Sequence, residues 1–200
     1  MAKVLEFFFD YSSPYSYLAS TRVEAVVRRA GADLRWRPLL LGALFKESGN
    51  TSPASNIVKA RYMLKDLLDW TRHYDLPDFM LPEGFPSSSL KAGRLGLVAD
   101  ERGRLPAFTH ALYREVFVEG KDVSDVGVLT RVLLKIGLGA EESFERSGSP
   151  EIKDLLRRNT DEALARGAFG TPCFFIGDDM YFGNDRLPFV EAALGEKAWQ

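Results

Sequence analysis

The tetrad Ser13-Pro14-Tyr15-Ser16 constrains this chain more than any other stretch. It follows the apolar run Val4-Leu5-Glu6-Phe7-Phe8-Phe9-Asp10, which reads as a short buried strand, aromatic and β-branched, stopped at Asp10. It opens a segment in which Tyr15, Leu18, Ala19, Val23, Val26, Val27 and Ala30 recur mostly at spacings of three and four. Pro at a first helical position and Gly31 as a C-terminal cap bound that helix. Asp33 to Arg37 then alternates, with Leu34 and Trp36 on one side and Arg35 and Arg37 on the other, and stops before Pro38. Strand, helix, strand within forty residues is a βαβ unit, so the two strands are expected to be parallel with a right-handed crossover.

The middle of the chain changes character. Helices are expected at 57–73, 88–101, 107–118 and 126–135, separated by Leu81-Pro82-Glu83-Gly84-Phe85-Pro86 and by Gly120 and Gly137, with no convincing strand between Gly49 and Ser149. Ser149-Pro150-Glu151 starts a further helix ending near Gly167. Cys173–Ile176 and Met180–Phe182 flank Gly177-Asp178-Asp179 as a hairpin, and Asn184 or Asp185 is expected to cap a last helix carrying Leu187, Val190 and Leu194. The sum is βαβ, a helical insertion, then αββα. A thioredoxin-like α/β fold interrupted by an all-helical domain uses all these pieces, with residues 1–41 and 150–200 forming the thioredoxin-like part and 42–149 the insertion. The 46% hydrophobic content supplies a core for such a fold. A net charge of -2 gives no reason to expect nucleic acid or an anionic membrane as partner.

In thioredoxin folds the start of the first helix is where redox proteins carry Cys-Pro-x-Cys; here both cysteine positions are serine, Ser13 and Ser16. The protein cannot supply the sulfur, but a hydroxyl at a helix N-terminus suits holding another molecule's thiolate, and glutathione is the obvious donor. Ser13 is the candidate donor. One charge-assisted bond contributes about 1.5–3 kcal/mol, enough to lower a thiol pKa by roughly one to two units. Ser before Pro is equally an ordinary helix cap. Thr171-Pro172 is expected to be cis and to turn the Thr171 backbone toward the site, where it can pair with a peptide-like ligand; an ordinary trans Pro at a strand start is the alternative. Asp185 offers a carboxylate for a ligand ammonium, and Asn184 and the helix N–H groups suit a carboxylate, although both residues also fit a simple cap. Asn50 reads as a turn residue and Lys59 as part of a solvated basic helix face with Arg61, Lys65 and Arg72. His73 and His110 are the only histidines and Cys173 the only cysteine, so no metal-ligand spacing and no catalytic triad can be read. A lone, buried Cys173 excludes an intrachain disulfide, and together with the lack of a leader-like or membrane-length apolar run it leads us to expect a soluble cytoplasmic protein.

The segment from Phe7 to Ala19 resembles the 2-hydroxychromene-2-carboxylate isomerases, glutathione-dependent enzymes of bacterial naphthalene breakdown, and the related kappa-class glutathione transferases. Gly49-Asn50-Thr51-Ser52-Pro53, Lys59-Ala60-Arg61-Tyr62, Gly167 to Pro172 and Phe182 to Leu187 agree in order and spacing, so the resemblance covers essentially the whole chain. It implies a homodimer in which Ser13 activates bound glutathione. It further implies that Asn50 and Lys59 contact the tripeptide, that Thr171 and Pro172 present backbone to its cysteinyl residue, and that Asn184 and Asp185 form the γ-glutamyl pocket. The implied reaction is addition of the thiolate to a ring-opened conjugated aromatic substrate, rotation about the new single bond, and elimination to the trans isomer. Two departures stand out: Thr171 where an aliphatic residue is frequent, and Phe182 where the isomerases often have Trp. Ser-Pro-Tyr-Ser-Tyr is closer to the isomerases than to the transferases, which tend to Trp at the Tyr17 position. A transferase that conjugates glutathione to electrophiles is the alternative reading. A thioredoxin-like module that binds without catalysis is the more distant one, and disulfide exchange is disfavoured by the absence of a protein thiolate.

Overall fold

The computed structural model describes residues 2–195; the last five residues of the expected second thioredoxin-like segment, together with Met1, lie outside it. Four strands form one mixed sheet in the order β2-β1-β3-β4. β1 (Val4–Phe9) runs parallel to β2 (Asp33–Pro38), and β3 (Cys173–Ile176) is antiparallel to both β1 and β4 (Asp179–Phe182). The parallel pair requires a crossover, supplied by α1 (Pro14–Ala30). α1 begins at the Ser13 cap and stops at Gly31, whose φ of +64° is left-handed backbone that a side chain would strain. The β3–β4 turn is tighter than the sequence suggests. Asp179 pairs with Ile176, which leaves a two-residue turn, and Gly177 takes the positive φ of 59° that such a turn demands.

Between β2 and β3 lie α2 (Leu41–Ser48), a 3-10 turn at Pro53–Ser55, α3 (Ile57–His73), α4 (Leu90–Glu101), α5 (Leu105–Phe117), α6 (Val126–Lys135), α7 (Ala140–Ser147) and α8 (Pro150–Ala165). α3 and α6 match the sequence expectation, and α4 and α5 differ from it by two residues at their starts. α2 and α7 were not expected. Each spans eight residues with a single buried side chain, Leu44 or Ser143, too little periodic apolar pattern to read. The last helix, α9 (Leu187–Leu194), is a correction. A 3-10 turn at Asn184–Arg186 precedes it, and its N-cap position is Arg186 with no side-chain cap bond, so neither Asn184 nor Asp185 caps it. Pro188 allows this, because its missing N–H removes one of the donors a cap would satisfy.

Alternation along β1 sends its side chains into two different cores. Phe7 and Phe9 join Phe174, α1, α9 and helices α3 to α6, so these helices, which lie between β2 and β3 in the chain, share one continuous core with this face of the sheet. Phe7 alone has ring centroids of Phe9, Trp36 and Phe174 at 5.0, 5.1 and 5.2 Å. Phe8 faces the other way with Phe175, Cys173, Leu39, Leu44 and Ala163. A half-buried charge network closes this second face. Arg37 bonds Glu6 at 2.6 Å, Glu162 at 2.5 Å and Asn159 at 2.9 Å, while Arg166 bonds Glu6 at 2.7 Å and lies 3.8 Å over the Phe175 ring. The Arg37 hydrogen bond holds the Glu162 carboxyl below its usual range, so its contribution to stability is present above that range and lost as pH falls through the lowered value.

One glycine is set by packing rather than by a turn. A Cβ at Gly96 on α4 would lie 2.4 Å from the hydroxyl of Tyr11, which is fully buried and bonded to Thr109 at 3.0 Å. Gly96→Ala is therefore expected to cost about 1–3 kcal/mol by overpacking, lowering the melting temperature by about 2–10 °C. Thermal unfolding followed by circular dichroism checks this, and an unchanged or higher melting temperature would contradict the packing account.

Candidate active site

β1 delivers the chain to a cleft of about 640 Å³ at the start of α1. The junction is built on Asp10, 1% exposed, the residue at which the sequence pattern ends the strand. One carboxylate oxygen accepts the Ser12 N–H and Ser12 Oγ–H, both at 2.6 Å. The other accepts the Leu41 N–H at 2.7 Å and Ser89 Oγ–H at 2.8 Å. The Asp10 backbone oxygen accepts the Ser13 N–H at 3.0 Å and the Tyr113 hydroxyl at 2.9 Å. The beginnings of α1, α2 and α4 are thereby tied to one buried anion, and all three border the cleft.

Ser13 sits at the cleft wall, 2% exposed. Its Oγ accepts the Ser16 N–H at 3.2 Å, which makes it the helix cap, and donates to the Thr171 backbone oxygen at 3.3 Å. The two readings of this serine are compatible, because a capping oxygen keeps its own proton free to donate. The 3.3 Å bond is long for an O–H donor, so that proton is weakly held. The Thr171–Pro172 peptide is cis, as expected from the sequence, and Phe85–Pro86, for which no isomer was expected, is cis as well. Ser16, the second of the two cysteine-replacing serines, is fully buried beside the Tyr113 hydroxyl and does not border the cleft.

A second hydroxyl, Tyr15, also lines the cleft but is committed elsewhere. It donates to Asp66 at 2.8 Å, and burial, reinforced by that carboxylate and by Asp185, pushes its pKa well above the ordinary tyrosine value. A phenol whose proton is committed to an adjacent carboxylate is a poor donor to a ligand in the cleft. Cys173 offers no alternative. It is fully buried on the opposite face of the sheet, and burial pushes its thiol pKa up to about 12.

The structure brings together Ser13, Asn50, Lys59 and Thr171 along the cleft. Asn50 is held there by its side-chain N–H to the Phe169 backbone oxygen at 3.2 Å, a role that its reading as a turn residue did not contain. Lys59, in the first turn of α3, is the one side chain of permanent charge on the lining, although its helix face otherwise points to solvent. Pro172, Asn184 and Asp185 do not border the cleft. Asn184 is 2% exposed with its side chain against the Tyr74 hydroxyl, and exposed Asp185 bonds Arg186 at 2.8 Å. The remaining lining is largely apolar and includes Leu41, Phe45, Met63, Phe85, Pro86 and Leu90. Sequence reasoning missed Asp10 and Ser89. The Asp-x-Ser spacing of Asp10 and Ser12 is the signal for the first, an Asx-type turn at a strand end; no signal marks Ser89, whose partner lies 79 positions away. Among the described residues, no cluster of side chains could hold a metal ion, and no helix is long and apolar enough to cross a membrane.

Comparison with known proteins gives a consistent picture. Residues 4–195 match the DSBA-like thioredoxin domain family. A 2-hydroxychromene-2-carboxylate isomerase of Sphingobium xenophagum is 32% identical over 97% of this chain and 99% of its own length. Human glutathione S-transferase kappa 1 is 28% identical over 98% of this chain and 93% of its own length. A solved 2-hydroxychromene-2-carboxylate isomerase structure aligns with a TM-score of 0.87 at 26% identity, covering 96% of this chain and 94% of that one.

The Asp10 anion carries a test of its own. Asp10→Asn preserves shape but turns an amide N–H₂ toward donors and removes the charge from four hydrogen bonds. Loss of about 2–4 kcal/mol is expected, lowering the melting temperature by at least about 5 °C. A melting temperature that stays within about 2 °C of the parent would show that the three helix starts do not depend on this carboxylate.

Proposed function

This chain is an enzyme of the DSBA-like thioredoxin domain family, in the group of 2-hydroxychromene-2-carboxylate isomerases and kappa-class glutathione transferases, and we propose that it is a glutathione-dependent isomerase in which Ser13 stabilises the glutathione thiolate. The observation that carries this reading is the Ser13 hydroxyl. It caps α1 from the cleft wall, holds its proton only loosely on the Thr171 oxygen, and stands in a chain whose one thiol is buried elsewhere. The substrate is 2-hydroxychromene-2-carboxylate, interconverted with trans-o-hydroxybenzylidenepyruvate, or a related intermediate of aromatic breakdown.

In this mechanism the Ser13 hydroxyl keeps its proton and turns its hydrogen bond from the Thr171 oxygen to the sulfur; the thiol proton passes to solvent, and this bond and the positive end of α1 favour thiolate over thiol. The Thr171 oxygen then accepts the cysteinyl N–H of glutathione, as an added strand would. Lys59 pairs with a carboxylate of the tripeptide and Asn50 supplies a hydrogen bond beside it. The γ-glutamyl end extends past the lining toward Asn184 and the exposed carboxylate of Asp185, whose charge acts on Tyr15 at the cleft wall. Pro172 keeps the Thr171 backbone turned to the ligand. The apolar wall of Leu41, Phe45, Met63, Phe85 and Leu90 receives the aromatic ring. Thiolate addition to the ring-opened substrate converts its conjugated double bond to a single bond. Rotation follows, and elimination returns the thiolate and leaves the trans alkene.

The protein acts in the cytoplasm, where the glutathione pool is reduced, and as a homodimer. In support of the dimer, Ile57, Val58 and Tyr62 on α3 are 69%, 72% and 68% exposed, an apolar surface beside a groove that shares Tyr15, Lys59 and Met63 with the cleft. Sedimentation at micromolar concentration should report twice the chain mass, and Tyr62→Glu should shift it to monomer; a monomeric parent protein refutes this part.

Ser13→Ala is expected to fold, to bind glutathione, and to lose most activity. Losing the cap costs about 0.5–2 kcal/mol, which a domain of this size survives. The ultraviolet absorbance of bound thiolate, titrated with pH, should move up by roughly one to two units in the variant; an unchanged titration sinks the assigned role. Assaying the chromene carboxylate beside a chlorinated nitrobenzene separates isomerase from transferase, and conjugation without isomerisation would favour the latter.

A further inference from the structure

The side chain of Thr171 has no use in the mechanism above, which draws only on its backbone. Thr171 lines the cleft, is 7% exposed, and is the residue whose backbone oxygen the Ser13 hydroxyl reaches. Its Oγ1 is buried and has no hydrogen-bond partner among the described residues. Ser16 and Asn184, whose side chains lie against the Tyr113 and Tyr74 hydroxyls, and the buried Nε atoms of Arg22 and Arg94 are the nearest parallels, but none of those residues borders the cleft. An aliphatic side chain would support the same backbone contact without leaving a hydroxyl unsatisfied. A buried polar group without a partner destabilises the folded chain, and such features concentrate where a ligand uses them.

We propose that Thr171 Oγ1 is a second hydroxyl donor to the glutathione sulfur, acting beside Ser13. The inference rests on the glutathione reading given above. No covalent bond to Thr171 forms or breaks: when glutathione binds, rotation of the side chain brings Oγ1, closed to solvent in the free chain, to the sulfur, and the proton lost by the thiol passes to solvent. Two donors matter because isomerisation needs the sulfur twice, first as nucleophile and then as leaving group. A better-stabilised thiolate departs faster, as a leaving thiol of lower pKa does, so the second donor favours elimination over a lasting conjugate.

The test compares Thr171→Val with Thr171→Ser in the full chain. Thiolate absorbance of bound glutathione, titrated with pH, is expected to shift up by about half to one unit in the Val variant, about three- to tenfold less thiolate at a given pH below the transition. The Ser variant should titrate like the parent. Calorimetric affinity for glutathione at a pH where the thiol is neutral in both proteins should change by less than about threefold. The melting temperature of the ligand-free Val variant should equal or exceed that of the parent, because an unsatisfied hydroxyl has been removed. Should the Val variant fail to fold, Thr171→Ala carries the same expected shift. An unchanged titration with glutathione still bound overturns the proposal, and so does loss of glutathione binding, which would mark the side chain as a packing contact. These outcomes are separable from failure of the underlying reading: a parent protein that binds no glutathione, or a Ser13→Ala variant with an unshifted titration, defeats that reading directly.

Discussion

The arrangement of this site depends on one buried anion. A carboxylate taken out of water is costly unless hydrogen bonds replace its hydration. Asp10 receives four, two from its own turn and two from segments 31 and 79 positions further along the chain. Each donor belongs to a segment that enters a helix, so satisfying the charge requires α1, α2 and α4 to begin at the same place. Their first turns carry backbone N–H groups with no intrahelical partner and the positive ends of three helix dipoles. The charge that assembles the junction therefore also sets its potential. The cleft is not an accident of loop packing; it is the space left where three helices start around one anion.

Within that junction the chemistry is divided by hydrogen-bond commitment rather than by residue type. Ser13 and Tyr15 are two positions apart and both residues border the cleft. Tyr15 is held by Asp66 at 2.8 Å with its proton retained, whereas Ser13 donates weakly at 3.3 Å to a carbonyl that a peptide ligand can also use. The same logic separates the cleft from the rest of the molecule. The opposite face of the sheet satisfies its charges internally, with Arg37 and Arg166 shared between Glu6 and Glu162. At the cleft, Thr171 Oγ1 is left without a partner. What is conceded at the cleft is a single hydrogen bond, as expected where a ligand completes the hydrogen bonding.

Much of the scaffold was legible because it is local. β1, α1 and β2 follow from apolar spacing, Pro14 and Gly31, each of which acts within a few residues of itself. Thr171-Pro172 was legible only through the fold that places a strand start opposite α1. Where local signals were thin, the reading failed: α2 and α7 each bury one side chain. The end of the chain shows competition between equally good local solutions. Asn-Asp before an apolar run reads as a cap, yet the backbone makes a 3-10 turn there and turns Asn184 into the interior beside Tyr74.

The sequence alone determined the order of the strands and of the helices other than α2 and α7, the helix start at Ser13 and the absence of a protein thiolate from it, since these depend on residue identity and near-neighbour spacing. Tertiary structure alone decided which polar groups share the cleft. Asn50, Lys59 and Thr171 are brought to Ser13 from positions 37, 46 and 158 residues away, while Pro172, Asn184 and Asp185 stay off its lining. It also decided that Asp10, a mere strand terminator by pattern, is the anion around which the site is built. The physical reason is that burial and hydrogen-bond partnership are properties of a position in space, and one chain composition is compatible with many such partnerships until the core chooses among them.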